Sequence, residues 1–228
     1  MQPKFLVCGC ARSGTGYIAT LLSALGCRCG HEAVFNPENI TAGDELIWPD
    51  ELPGESSWLA ASFIPSLPVE LPVLHQVREP IAFIRSMVGI RFFEVPSAYR
   101  VFAELICPEL TGGTPVERSM LYWITWNRFV AQEGPRGERP YMRYRLEEVD
   151  EDLVARMLDF VGFDCDSEKV SATVQVHPRD YKTRDIKDED DSIRLDTLPR
   201  GELLEHLLEL ADELGYTISP GKPTLIAA

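Results

Sequence analysis

The chain has 228 residues, 45% of them hydrophobic, and a formal net charge of −14 from 36 acidic against 22 basic side chains. That length and apolar content suffice for one α/β domain with a sizeable core, expected to span residues 1–228. The acidic balance excludes a general nucleic-acid binder, because phosphate contacts need basic surface that displaces counterions; no run approaches the roughly eighteen apolar residues of a membrane span, so membrane insertion is not expected.

Lys4-Phe5-Leu6-Val7-Cys8-Gly9 reads as a short apolar strand, and Cys10-Ala11-Arg12-Ser13-Gly14 leads from it into a helical period over residues 15–25, with Ile18, Leu21, Leu22 and Leu25 on one face and Gly26 as its stop. Gly9 and Gly14 permit a tight turn with inward-facing N–H groups, and the helix that starts near Gly14 points the positive end of its dipole at the same place. This is the plan of a cradle for phosphate or sulfate. The spacing resembles the GxxxxGK loop, but Thr15 stands at the lysine position and Arg12 supplies a cation from inside the loop.

Residues 27–30 read as a second strand, with His31 and Glu32 at its carboxyl end, where ligands lie in open parallel sheets. Residues 36–56 are rich in Pro, Gly and acidic residues without a period and read as a long surface excursion; residues 57–62 read as a further strand. Residues 72–78 form a stronger strand, after which Glu79-Pro80 opens a helix with proline at its first position. Residues 89–114 read as an irregular, aromatic-containing stretch, closed by Thr114 as the cap of a long helix to about residue 132. A strand over 140–145, a helix over 150–161, an irregular segment over 165–198 and a last helix over 199–214 complete the chain. The order indicates an α/β three-layer sandwich, a central parallel sheet flanked by helices.

Charge is uneven. Residues 1–35 carry Lys4, Arg12 and Arg28 against Glu32, and residues 169–187 carry five basic against two acidic side chains. The second island, from Arg179 to Lys187, either serves the same anion or is a solvated basic face. The six cysteines are expected to remain thiols in a reducing compartment, the cytoplasm. Cys8 and Cys10 share one strand face as small hydrophobes, and the Cys-x-Cys pairs lack zinc-ribbon spacing, so no metal is expected.

Three separated signals together resemble the sulfotransferase superfamily that uses 3′-phosphoadenosine 5′-phosphosulfate. Arg12-Ser13-Gly14-Thr15-Gly16 is similar to the family's 5′-phosphosulfate loop, in which a basic residue precedes Ser-Gly-Thr and a further Ser or Thr; Gly16 departs from it and lacks that hydroxyl. Arg78 and Ser86 match the family's 3′-phosphate pair, an arginine at a strand end and a serine eight residues later. Gly30-His31-Glu32 resembles the bacterial and carbohydrate-type members, where the glutamate is proposed as general base. Tyr144-Arg145-Leu146-Glu147-Glu148 looks like the family's strand-end segment more loosely.

The resemblance implies a P-loop nucleotide hydrolase-like fold and metal-independent transfer of a sulfuryl group to a hydroxyl or amine of a small-molecule, glycan or lipid-like acceptor, with 3′-phosphoadenosine 5′-phosphate as product. It implies Arg12, Ser13, Gly14, Thr15, Gly16, Tyr17, Arg78, Ser86 and Tyr144 as donor-binding residues, and Glu32 and Arg12 as catalytic ones. His31 is the rival base: adjacent strand residues face opposite ways, so only one of His31 and Glu32 is expected to point at the sulfur. The family's C-terminal R-K-G segment is absent, and the island at Arg179 is the candidate to replace it. Residues 36–56 and 89–114 are expected to wall the acceptor pocket, with Trp48, Phe92, Phe93 and Tyr99 either stacking on the acceptor or packing the loops. A small-molecule kinase and a silent binder of the desulfated nucleotide are the competing readings. The sequence carries no signature of oligomeric state.

Overall fold

A computed structural model describes residues 4–41, 47–176, 190 and 192–218. Its elements run β1 (Phe5–Gly9), α1 (Thr15–Ala24), β2 (Cys29–His31), α2 (Pro37–Thr41), β3 (Gly54–Ser56), β4 (Val73–Val77), α3 (Pro80–Gly89), α4 (Ala98–Ile106), α5 (Pro115–Glu133), β5 (Tyr141–Arg145), α6 (Glu151–Phe160), α7 (Ser167–Val176) and α8 (Glu202–Glu213). The fold is of the expected α/β three-layer class, with a central parallel sheet flanked by helices. No described helix is long and apolar enough to cross a membrane.

The chain divides into two compact units, Met1–Val77 with Phe129–Tyr181, and Arg78–Arg128 with Lys182–Ala228. The first holds the whole sheet, in the order β2-β3-β1-β4-β5. Every neighbouring pair is parallel. β1 lies in the middle and is buried along its full length, as a parallel strand covered on both faces must be. On one face Phe5, Val7, Leu74 and Tyr144 pack against Ile18, Leu21 and Leu22 of α1, Leu153, Val154, Met157 and Leu158 of α6, and Val170 of α7. Asp150 starts α6 by accepting the Leu153 N–H at 2.8 Å, and Gly162, at φ 69°, follows its end.

In the second unit Pro80 opens α3, and the Glu79 carboxylate accepts the Ala82 N–H at 2.6 Å. Thr114 and Glu117 form a reciprocal cap at the start of α5: the Thr114 hydroxyl accepts the Glu117 N–H at 3.2 Å, and the Glu117 carboxylate accepts the Thr114 N–H at 2.8 Å. Tyr122 stacks on Trp126 at 4.3 Å and on Phe83 at 5.9 Å.

Four readings of the sequence are corrected. The excursion over 36–56 contains α2 and β3, and β3 lies inside the sheet between β2 and β1. Three residues are too short for a period of two to register, and the strand exists because it is paired on both sides. Residues 57–62 are not a strand; a 3₁₀ helix runs over Leu59–Ser66. The stretch over 89–114 contains α4, and that over 165–198 contains α7. The basic island at Arg179–Lys187 lies outside the described residues.

Close approach of β1 and β4 depends on Gly9, where a Cβ would stand 2.0 Å from the Gln76 carbonyl oxygen, a backbone atom that moves only if the strands part. Gly9→Ala is therefore expected to destabilise the protein by about 1–3 kcal/mol or more, read from urea denaturation. An unchanged midpoint would show that the strands are not held so close.

Candidate functional site

Residues 10–14 link β1 to α1 through two left-handed residues, Arg12 at φ 62° and Gly14 at φ 92°. Gly14 is the cap of α1 and makes no side-chain capping bond. The positive φ is what favours glycine there; a Cβ would also lie 2.8 Å from the end of the Leu146 side chain and 2.9 Å from the Gln76 amide nitrogen, which would have to shift. Ser13 N–H donates to the Cys10 carbonyl at 3.2 Å. The Ser13 hydroxyl is buried and has no hydrogen-bond partner, an orphaned polar atom where an anion's oxygen would satisfy it.

The loop rests on Gln76, which sequence reading passed over as one residue of a strand. Register puts Gly9, Gln76 and Tyr144 in one row across β1, β4 and β5. The Gln76 side-chain amide donates to the Ser13 carbonyl, and the Tyr144 hydroxyl donates to Gln76 Oε1 at 2.5 Å. Burial holds the Tyr144 phenol well above its ordinary value, so it stays a donor. The Tyr144 side chain lies in the core and connects to the loop through Gln76. Tyr17 packs at the edge of the same core.

α1 and β2 meet at Thr15. Its carbonyl accepts the Ser56 hydroxyl at 2.9 Å, and its Oγ1 lies 3.1 Å from His31 Nε2. A side chain at Gly16 would abut the His31 ring, whose Cε1 would stand 3.4 Å from a Cβ.

His31 and Glu32 were expected to face opposite ways. They do not: Glu32 Oε1 lies 3.7 Å from His31 Nε2. Glu32 follows the last residue of β2 and has φ 53°, so strand alternation no longer governs it, although its N–H still donates to the Ser56 carbonyl at 3.1 Å. The His31 side chain is 45% exposed and that of Glu32 14%, so the carboxylate is the more sheltered of the two.

In the second unit, Arg78 directly follows β4 in the chain, and its carbonyl accepts the Trp123 indole N–H at 3.0 Å. Ser86 lies on α3 and is buried. Phe92 and Phe93 pack edge to face at 5.0 Å, and the Arg118 guanidinium covers Phe93 at 4.6 Å; Tyr99 is exposed. In the first unit Trp48 meets Phe35 edge-on at 5.9 Å, and both line a cavity of about 830 Å³ with Phe63 and Leu67.

Sequence reading also missed Glu55, which sits in a strand it did not detect. Glu55 is wholly buried in β3, and desolvation, opposed in part by backbone N–H groups and reinforced by the nearby Glu32 carboxylate, raises its carboxyl above the ordinary value. A raised folded value favours the un-ionised form. The stability it gives is complete below the ordinary glutamate value of about 4.3 and is lost as pH rises toward the folded value. Glu55→Gln cannot ionise, so its thermal midpoint relative to the parent protein is expected to improve from pH 4 to pH 8. A pH-independent difference would show that Glu55 titrates as an ordinary glutamate.

The architecture is similar to that of a sulfotransferase domain from the curacin biosynthetic pathway, at 14% sequence identity and a TM-score of 0.59, over 96% of this chain and 99% of that one. No protein-family model matches the sequence, and no curated protein matches it as a relative. The chain thus has the fold of a sulfotransferase domain.

Proposed function

We propose that the protein is a sulfotransferase that moves a sulfuryl group from 3′-phosphoadenosine 5′-phosphosulfate to a hydroxyl or amine of a small-molecule, glycan or lipid-like acceptor. The observation that carries this reading is the loop between β1 and α1, set in a fold shared with a sulfotransferase domain: a glycine-capped helix start, a buried unpartnered Ser13 hydroxyl, and Thr15 where a kinase loop has lysine. The donor supplies a sulfuryl group already activated on a phosphate leaving group, in a transfer resembling phosphoryl transfer. The chain's part is to hold that leaving group and to take up a proton.

In this reading Arg12, the Ser13 and Thr15 hydroxyls and the N–H groups of residues 14–17 bind the 5′-phosphosulfate, and Arg78 with Ser86 reads the 3′-phosphate. Glu32 accepts the acceptor's proton on its carboxylate. His31 is the lesser candidate because its Nε2 is already engaged with Thr15 Oγ1, a contact that orients the loop hydroxyl. No metal is required. All six cysteines are free thiols, which fits the cytoplasm.

The donor assignment is tested by calorimetry in EDTA. 3′-Phosphoadenosine 5′-phosphate should bind at micromolar concentration and ATP far more weakly. Arg78→Ala should lower the affinity for the 3′-phosphorylated nucleotide at least about tenfold, as expected for loss of a charge-assisted bond, and leave that for ATP nearly unchanged. Equal affinities, or an absolute magnesium requirement, would favour the kinase reading.

The base is tested by release of 3′-phosphoadenosine 5′-phosphate from saturating donor in the presence of a panel of alcohols, phenols, sugars and amines. Glu32→Gln should keep nucleotide affinity within about threefold and reduce turnover by roughly 10²-fold or more, with His31→Asn reducing it much less. The reverse order would make His31 the base, and binding without turnover in the parent protein would favour the silent nucleotide binder.

A further inference from the structure

Glu55 is the middle residue of β3 and has no solvent exposure. Its Oε1 accepts two backbone N–H groups, from Val34 at 3.1 Å and Phe35 at 3.3 Å, while Oε2 is buried without a partner. These two residues close the turn that begins at Glu32, whose left-handed φ of 53° sends the chain back from the end of β2. The turn is tied a second time by the Ser57 hydroxyl, which donates to the Phe35 carbonyl at 2.8 Å. Gly30 makes room for the carboxyl, since a Cβ there would stand 2.6 Å from Glu55 Oε2. The titratable groups around it are Glu32 and the Cys29 thiol.

Alternation along β3 gives this contact its meaning. Ser56, the next residue, faces the opposite side of the sheet and bonds the Thr15 carbonyl at the start of α1. One strand therefore grips the phosphate-loop helix with one side chain and the Glu32 turn with the next, which fixes the spacing between them. We infer that Glu55 is a positioning residue that holds Glu32 in place through the backbone N–H groups of Val34 and Phe35. The inference rests on the reading of Glu32 as the base.

A carboxyl is suited to the task because one oxygen accepts two adjacent N–H groups, which an aliphatic residue of the same volume would leave buried and unpaired. Glutamine keeps that oxygen, whereas aspartate draws it back by one methylene.

The test compares Glu55→Leu, Glu55→Asp and Glu55→Gln with the parent protein in two independent arms. In the first, amide hydrogen exchange at Val34 and Phe35 should accelerate at least about tenfold in Glu55→Leu and Glu55→Asp and stay protected in Glu55→Gln. In the second, with saturating donor and the acceptor panel, Glu55→Leu and Glu55→Asp should lose kcat at least about tenfold while binding 3′-phosphoadenosine 5′-phosphate within about threefold of the parent, and Glu55→Gln should recover most of that loss. The double variant Glu32→Gln with Glu55→Leu should be no slower than Glu32→Gln alone, because a residue that acts through Glu32 has nothing left to act on. Should Glu55→Leu fail to fold, Glu55→Asp carries both arms and the double variant. Protected amides in Glu55→Asp, undiminished kcat, or a fully additive double variant would overturn the inference. If the parent protein transfers no sulfuryl group, the functional reading falls, and the exchange arm alone still decides whether Glu55 holds the turn.

Discussion

The Gln76 carboxamide, clasped between the Tyr144 hydroxyl and the Ser13 carbonyl, is the interaction on which the rest of the site depends. A side-chain amide can be flipped, and in water the two orientations differ little. Here they differ greatly. The Ser13 carbonyl can only accept, so Gln76 must present its NH₂ to the loop and offer its oxygen to the Tyr144 hydroxyl, which donates; the flipped amide would set two acceptors against each other and leave buried groups unpaired at about 1–3 kcal/mol each. The loop carbonyl at residue 13 is thereby tied to the sheet.

This arrangement explains why three strands meet so tightly at their carboxyl ends. Gly9 has no Cβ, which lets β4 approach until Gln76 lies beneath Gly14, and Gly14 in turn has no Cβ that would strike the Gln76 amide. Gly9 and Gly14 thus have separate physical reasons, the first in strand packing and the second in a left-handed turn. β3 does the equivalent work on the other flank, through Ser56 toward α1 and Glu55 toward the Glu32 turn.

Electrostatically, the site is an exception within its own protein. An acidic chain of net charge −14 places a cationic residue, a helix start and a cluster of N–H groups at the end of its central strand. Arg12 and Glu32 are two of the three non-glycine residues with positive φ among those described. A left-handed conformation costs a non-glycine residue on the order of 1 kcal/mol, and here it falls on the two side chains of opposite charge that the chemistry would use.

Much of this molecule can be read from its sequence, for local reasons. The β1 strand, the glycine-rich turn and α1 are signalled by an apolar run, by residues whose backbone freedom is itself the signal, and by a clear helical period; β4 with the Pro80 helix, the Thr114 cap and the Gly162 stop are local in the same way. Loop candidates from Arg12 to Thr15, and Glu32 with His31, follow from position relative to those elements. What was not legible depends on partners distant in the chain. β3 is three residues that become a strand because β1 and β2 flank them, and Glu55 has no meaning until that strand is buried. Gln76 and Tyr144 are 68 positions apart and meet through parallel register alone. His31 and Glu32 lie on the same side because the chain leaves β2 with a positive φ, a choice that Glu55 enforces from another strand. Sequence by itself determined the fold class and the glycine-rich loop after β1, since both are written in local backbone preference and hydrophobic period; tertiary structure decided which buried polar groups hold that loop and the Glu32 turn in place, since a hydrogen bond between remote residues exists only once the sheet has set their register.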